Sequence, residues 1–121
     1  MMDASHRDKS DSARSAAIQA AIRRATDAPL RVMQLSREVL GVARNVADVG
    51  NNNAVTDAGV AALMAMAAIE GAALNVRVNL VSLEDREFAA HLRETADQMF
   101  NEAQALASDV RALVETRAGL K

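Results

Sequence analysis

The chain has 121 residues, a formal net charge of −2 and no cysteine. Its length suits one domain, its mixed charges form no basic stripe that would favour a nucleic-acid partner, and the absence of cysteine excludes disulfides and thiolate chemistry. Half of the residues are apolar but only 2% are aromatic, which favours an all-α fold with a core of closely packed helices.

Residues 1–11 are polar, and we expect them to be flexible. They lack the continuous apolar core of a secretory signal, so we predict a cytoplasmic protein. A first helix is predicted to begin near Ser12 and to include "ARSAAIQAAIRRATDA". Pro29 then predicts a break or a kink, where Thr26 or Asp27 is placed to cap a new helix.

The segment "LRVMQLSREVLGVARNVADV" is predicted to form the second helix. Its apolar residues recur every three or four positions, which predicts one buried face. That face comprises Val32, Leu35, Val39, Val42, Val46 and Val49. Gly50, which tolerates the left-handed conformation, is expected to end the helix, and "NNNAV" is expected to form a loop.

A third helix is predicted to begin at Thr56 as its N-cap, with Asp57 in the first turn, where the helix dipole favours a negative charge. Gly59 and Gly71 weaken a helix interior, so their presence indicates close contact with another backbone. We therefore expect this helix to be packed on several sides.

The stretch from Val60 to Leu83 is apolar enough to be compared with a membrane span. Glu70 lies near its middle, and a charge at that depth costs about 3 kcal/mol on insertion scales. Arg77 follows in the same stretch. The sequence therefore favours a buried helix of a soluble bundle, with no membrane partner.

The last helix is predicted to begin with a capping box formed by Ser82 and Asp85 and to end near Thr116. Apolar residues within it alternate spacings of four and three, which is typical of a helix that pairs lengthwise with another. They are Leu92, Ala96, Met99, Ala103, Leu106, Val110 and Leu113. The partner helix is expected either in the same chain or in a second copy.

Three segments together resemble a known family. They are "APL" at residues 28–30, "GNNNAVTDAGVAA" from Gly50, and "AALNVRVNL" ending at Leu80. This ordered set is similar to the C-terminal portion of the cyclodeaminase/cyclohydrolase family, which includes the methenyltetrahydrofolate cyclohydrolases and the C-terminal domain of formiminotransferase-cyclodeaminase. The family's Pro-Gly-Gly-Gly run is absent from this sequence, so we expect residues 1–121 to form one helical domain without that Gly-rich part.

The resemblance implies a multihelical bundle that forms an intertwined homodimer and binds a tetrahydrofolate derivative, with no further cofactor. The implied reactions are hydrolysis of a methenyl bridge and cyclisation of a formimino group with loss of ammonia, and the sequence does not choose between them. Two alternatives remain open. Instead of a complete enzyme, the chain is either a non-catalytic helical dimerisation module or one segment of a split enzyme.

The candidate substrate-binding residues are amides and a hydroxyl, and the candidate catalytic residue is Asp57. Asn75 and Asn79 lie one turn apart on one helix face, and buried amides need hydrogen-bonding partners. These two side chains are expected either to bind protein backbone, such as the Gly50–Asn53 loop, or to contact the pterin ring. The full substrate-binding set is Asn51, Asn53, Thr56, Asn75 and Asn79.

The role of Asp57 stays open at this point. Asp57 is explained by its first-turn position alone, but it is also placed to anchor the substrate or a catalytic water.

His6 and His91 have no second histidine at ligand spacing, so we predict no metal site. His91 is expected on the surface of the last helix.

Overall fold

The structure, a computed structural model, describes the backbone of residues 4–120 and the side chains of residues 8–120. Three helices make up nearly all of this part of the chain: α1 (Ala4–Val49), α2 (Val55–Val81) and α3 (Arg86–Arg117). A single 3₁₀ turn, Asn52–Ala54, precedes α2. The described residues include no strand, which confirms the all-α prediction.

The helices run up, down and up, and α1 is longer than its partners. Gln19 marks the level at which α2 gives way to α3, because its Nε2 donates to the Ser82 carbonyl at 3.1 Å and its Oε1 accepts from the Glu84 amide at 2.9 Å. Residues 4–18 therefore extend past the other two helices by about 20 Å at a rise of about 1.5 Å per residue. Every described side chain from residue 8 to residue 18 is exposed.

The chain passes through Pro29 without interruption, so the predicted break is wrong. Thr26 does not cap a new helix; its buried hydroxyl donates to the Ile22 carbonyl of the preceding turn at 2.8 Å. Proline removes only the hydrogen bond to Ala25, and packing on both sides of Pro29 keeps the helix continuous. The predicted start near Ser12 is also too late.

The flexibility predicted for residues 1–11 stays a prediction. Residues 4–11 are helical, and residues 1–3 lie outside the described part of the chain.

The core of the bundle uses a different face of α1 from the one that its valines predict. Met33, Leu40, Ala43 and Ala47 are buried, whereas the adjacent valine stripe mostly faces outward, with Val42 exposed by 64%. Of that stripe, Val46 is partly buried against the core. Both stripes have helical spacing, and the buried one is rich in alanine, which lets the helices approach closely. The predicted buried face of this helix is therefore wrong.

The heptad pattern of α3 forms an intramolecular contact. Ala89, Ala96, Ala103 and Val110 are buried at intervals of seven residues. The larger apolar residues of the pattern, such as Leu92, are partly buried against the same core. Because α3 packs against both α1 and α2, the partner in the same chain is the correct alternative.

α2 packs on one side only. Its buried residues contact α1 and α3, but its outer face is exposed, with Leu63 and Met64 exposed by 73% and 70%. A Cβ added to Gly59 would lie 3.3 Å from the Val114 side chain, so this glycine does serve a close helix contact, whereas one added to Gly71 would meet nothing within 4 Å. Within a single chain α2 therefore packs against α1 and α3 but not on its outer face, which differs from the expectation of packing on several sides.

The segment Asn52–Val81 is long and apolar enough to cross a membrane by length and composition. Core helices of bundles pass the same test, and a third of its most apolar window is buried inside this fold. The absence of a membrane partner stays a prediction.

The caps of the two later helices differ from those predicted. Ala54 occupies the N-cap of α2 without a side-chain hydrogen bond, so Thr56 already lies inside the helix, although Asp57 is in its first turn as predicted. Asp85 itself is the N-cap of α3, and its side chain accepts from the Phe88 amide at 3.1 Å. Ser82 ends α2 instead of opening a capping box for α3.

Candidate functional site

The loop between α1 and α2 is a tight turn built from asparagines. The Asn51 Oδ1 accepts from the Asn53 amide at 2.9 Å, and the Asn51 carbonyl accepts from the Ala54 amide at the same distance. Gly50 has no positive φ, contrary to the left-handed expectation. A Cβ there would lie 2.5 Å from the Val46 carbonyl oxygen. Glycine is therefore needed because a side chain would clash, and not because the backbone is left-handed.

Arg117, in the last turn of α3, fixes this loop from the side. Its guanidinium donates to the carbonyls of Ala47 and Gly50 at 3.0 and 2.8 Å and to the Asn52 Oδ1 at 2.6 Å. These carbonyls end α1 and have no helical donor of their own. Sequence reasoning missed Arg117, because its only signal is a basic residue in a last turn.

Thr56 and Asp57 follow the loop, and both are exposed. Thr56 lines an open groove of about 600 Å³ between α2 and α3, whose other walls include Leu63, Met66 and Val114. The Asp57 carboxylate lies at the positive end of the α2 dipole. This end of the bundle therefore presents exposed amides, the Thr56 hydroxyl and the Asp57 carboxylate beside a largely apolar groove, which Ser108, Arg111 and Glu115 also line.

Asn75 and Asn79 lie at the opposite end of α2. Asn75 is about 27 Å from Asp57 along the helix axis at about 1.5 Å per residue. Asn75 is exposed, Asn79 is half-buried, and neither side chain makes a hydrogen bond with another residue between 8 and 120. The predicted bond to the Gly50–Asn53 loop is therefore wrong, while contact with a ligand stays a prediction.

The loop between α2 and α3 is fixed as firmly as the first one. Arg23 of α1 pairs with Asp85 at 2.9 Å and stacks its guanidinium 4.0 Å above the Phe88 ring. Gln19 holds the same loop through its two backbone bonds. Both ends of α2 thus rest on anchored turns, so the amide pair and the carboxylate are held on a rigid element.

The six candidate site residues form two separate groups in one chain. Asn51, Asn53, Thr56 and Asp57 lie at one end of α2, and the amide pair lies at the other. Within residues 8–120 Asp57 forms no ion pair, and the histidine of this part of the chain, His91, is exposed on α3 as predicted. A single chain therefore offers one candidate proton acceptor and, separately, one pair of candidate amide ligands.

The sequence profile of the formiminotransferase-cyclodeaminase family matches residues 1–98. The methenyltetrahydrofolate cyclohydrolase of Methylorubrum extorquens is 42% identical over 110 residues, which are 91% of this chain and 53% of that protein. The formimidoyltransferase-cyclodeaminase of Rattus norvegicus is 28% identical over 104 residues, 86% of this chain and 19% of that protein. The chain thus spans about half of the first relative and about a fifth of the second.

Proposed function

Because this chain belongs to the formiminotransferase-cyclodeaminase family, we propose that it acts in folate one-carbon metabolism as a methenyltetrahydrofolate cyclohydrolase. The similarity to the bacterial cyclohydrolase carries this proposal, since it covers 91% of the chain at 42% identity. The alternative reaction is the cyclodeaminase one, which the family profile and the rat relative favour. Both reactions act on a tetrahydrofolate derivative.

In the proposed hydrolysis, water adds to the carbon that bridges two substrate nitrogens. The water oxygen bonds to that carbon, a proton leaves the water, and a tetrahedral intermediate forms. The hydroxyl group of this intermediate then loses its proton as the bond from the carbon to one nitrogen breaks and that nitrogen is protonated, which leaves a formyl group on the other nitrogen. The step needs a proton acceptor and oriented dipoles.

Asp57 is the residue that we assign to take the proton from water. It is an exposed carboxylate at the N-terminal end of α2, next to the residue that lines the 600 Å³ groove. The amide side chains of Asn75 and Asn79 can donate to and accept from the edge of a pterin ring without adding charge. The two groups must be brought together for one substrate to reach both.

A homodimer would bring them together. The outer face of α2 carries small or apolar residues at alternating intervals of four and three, the spacing of a helix that packs against another helix. We call these residues the α2 seam: Val60, Met64, Ala67, Gly71, Leu74 and Val78. All six are exposed in the single chain, and the small pair Ala67 and Gly71 at its middle allows close approach.

Antiparallel pairing of two such seams about their midpoint would align residue 57 of one copy with residues close to 79 of the other. Asp57 and Asn75 flank the seam on the same side of the helix, and antiparallel pairs place equivalent sides next to each other. Each composite site would then take its carboxylate from one copy and its amides from the other.

Turnover of methenyltetrahydrofolate, followed by the loss of its near-ultraviolet absorbance, tests the enzyme. We expect Asp57→Asn to abolish most of the activity and Asp11→Asn, a change to an exposed carboxylate at the far end of α1, to leave it unchanged. Release of ammonia from formiminotetrahydrofolate would instead support the cyclodeaminase. No turnover of either compound and no folate binding would favour the dimerisation module.

Mixing two inactive variants tests the composite site. If Asp57→Asn and Asn79→Ala are refolded together, half of the dimers are mixed, and each mixed dimer carries one site with both changes and one with neither. We expect activity to return to roughly a quarter of the unmodified level by this counting. No recovery would contradict a site shared between copies.

The split-enzyme alternative has a separate test. The chain is assayed alone and together with the part of the bacterial relative that it does not match. Activity only in the mixture would favour one segment of a split enzyme over the self-sufficient homodimer.

A further inference from the structure

A long apolar face of α1 is left unpacked by the rest of the described chain. From Ile18 to Val49, small or apolar residues recur at alternating intervals of three and four, the spacing of a helix that packs lengthwise against another helix. We call this series of residues the α1 seam. All of its members are exposed except Val46, which is partly buried. Single apolar side chains are ordinary on a surface, but an unbroken stripe about 47 Å long marks a packing face.

The α1 seam faces away from α3. Arg37 and Arg44 lie on the side of α1 that faces α3, because they form ion pairs with Glu102 and Asp109 of that helix. At about 100° per residue, Val42 lies about 140–160° round α1 from these two arginines. The seam therefore lies on the side of α1 opposite to its contact with α3.

The candidate site residues of α2 face the same way. Gly59 lies on the side of α2 that contacts α3, since a Cβ added there would lie 3.3 Å from the Val114 side chain. Asp57 and Asn75 lie about 160° round α2 from Gly59, and both are exposed. The α1 seam and this side of α2 thus share one surface of the α1–α2 layer, and α3 covers the other surface.

The midpoints of the α1 seam and the α2 seam lie at the same level of the bundle. The midpoint of the α1 seam falls between Val32 and Leu35. Gln19 is level with residues 82–84, because it binds their backbone, and α1 and α2 run in opposite directions at the same rise per residue. The α1 midpoint is therefore level with residues 68–69, where the α2 seam also has its midpoint. One two-fold axis at this level passes through both midpoints.

We propose that the α1 seam packs antiparallel against the α1 seam of a second copy, about the same two-fold axis as the α2 seam. Each copy then contributes two helices to the interface, and α3 lies on the outside. The inference deepens the proposed homodimer and rests on it for the position of the axis. The pairing of α1 with α1 rests on the residues of α1 alone.

The sizes of its residues make the α1 seam complementary to itself. Antiparallel pairing about the midpoint places each alanine in its first half opposite a valine in its second half. The pairs are Ala21 with Val46, Ala25 with Val42, and Ala28 with Val39. Each of these layers combines a small and a larger side chain, which keeps the two helices at an even distance. Parallel pairing would instead place alanine against alanine at one end and valine against valine at the other.

Charges beside the α1 seam match in the same register. Arg31 and Glu38 are exposed and flank the seam on its outer side. In the antiparallel pair, Arg31 of each copy lies opposite Glu38 of the other. Within residues 8–120 neither side chain forms an ion pair, and the Arg31 guanidinium donates to the Gln34 side chain at 3.4 Å. A second copy is favoured over an unrelated helix, because one sequence supplies both sides of each match.

Introduced cysteines test the register, since the chain has no cysteine of its own. Ala28→Cys and Val39→Cys are made in separate full-length chains, refolded together in equal amounts and oxidised. We expect about half of the chains to form a covalent dimer on a non-reducing gel, because random pairing gives that share of mixed dimers. Either variant alone should give none, since equal positions lie about 16 Å apart and a disulfide needs Cα atoms within about 7 Å.

The control for the cysteine test is Ala28→Cys refolded with Asp48→Cys, an exposed position outside the α1 seam, which should give no covalent dimer. The absence of product from the Ala28→Cys and Val39→Cys mixture would overturn the inference. Product from Ala28→Cys alone would indicate parallel pairing and would also overturn it.

Charge reversal is a second readout. Arg31→Glu and Glu38→Arg each place like charges opposite one another, and each should raise the dissociation constant of the dimer about tenfold at low salt. The variant that carries both changes regains opposite charges and should recover the original constant. A double variant as weak as the single ones would count against this register.

A further arm adds the part of the bacterial relative that this chain does not match. If that part suppresses the disulfide and binds the chain one to one, the α1 seam belongs to that segment and the inference falls. The proposed function fails separately, because neither readout uses folate. Disulfide formation without turnover would leave the inference standing, whereas turnover without disulfide formation would leave only the proposed function.

Discussion

The Arg117 guanidinium of α3 lies 2.6 Å from the Oδ1 of Asn52, in the loop that leads into α2. The same guanidinium binds the Gly50 carbonyl at 2.8 Å. One side chain therefore joins the end of α1, the asparagine loop and the last turn of α3. The candidate residues Asn51 and Asn53 flank Asn52, so their positions depend on Arg117.

Arg117→Ala should lower the free energy of unfolding by about 2 kcal/mol, because hydrogen bonds from a charged donor to otherwise unpaired carbonyls are among the stronger ones. Arg117→Lys should recover little of this, since an ammonium group does not bridge three acceptors in a plane. Urea unfolding measures both. Arg111→Ala is the control and should cost less than about 0.5 kcal/mol, because its pair with Glu115 is exposed. Similar losses at both arginines would contradict this anchoring role.

Two helix caps give a second prediction. Asp85→Ala should cost about 1–2 kcal/mol, because it removes the N-cap of α3 and the partner of Arg23. Thr56→Ala should cost less than about 0.5 kcal/mol, because Thr56 is exposed inside α2 and caps nothing. Thermal unfolding of the two variants distinguishes the cases. A larger loss of stability in Thr56→Ala than in Asp85→Ala would support the sequence prediction that Thr56 is the N-cap of α2.

The sequence predicts the helices better than it predicts their faces. The heptad of α3 is read correctly, since its positions at Ala96, Ala103 and Val110 are the buried ones. On α1 two stripes of helical spacing lie side by side, and the spacing gives no means of choosing between them. Val39 is exposed by 47% and Leu40 is fully buried. The position of the neighbouring helices decides this, which is tertiary information.

The candidate site shows the same limit. Family motifs locate Asp57 and Asn79 in the sequence, but they do not state the distance between them. That distance, about 33 Å at about 1.5 Å per residue, follows only from the finding that one unbroken helix joins the two residues. The role of the anchoring arginines also cannot be predicted from the sequence, because Arg117 and its acceptors on α1 are far apart along the chain.

Pro29 gives a third prediction. Pro29→Ala should raise the free energy of unfolding by about 1 kcal/mol or more, since alanine restores the backbone donor to Ala25 and suits the helix interior. Ala28→Gly is the matched control on the adjacent exposed position and should lower stability by about 1 kcal/mol. Chemical denaturation measures both changes. Destabilisation by Pro29→Ala would mean that the lost packing of the half-buried ring outweighs the regained hydrogen bond.

The α2 seam gives a fourth prediction. Met64→Glu places a charge on the exposed face of α2, where it would be buried and unpaired in the proposed homodimer. We expect the mass measured by light scattering to fall from that of a dimer to that of a monomer, while helical circular dichroism is retained. Gln34→Glu, on an exposed position of α1 away from the seam, should leave the dimer intact. A monomeric unmodified chain at micromolar concentration would contradict the homodimer.

The amide pair gives the last prediction, which separates a structural role from a functional one. Asn75→Ala and Asn79→Ala should each change the free energy of unfolding by less than about 0.5 kcal/mol, because neither side chain has a hydrogen-bonding partner within residues 8–120. A buried amide that binds backbone would instead cost about 1–3 kcal/mol on removal. Folate binding measured on the same variants should weaken, since the amides then serve the ligand and not the fold. Variants that unfold more easily yet bind folate normally would show that the amides are structural.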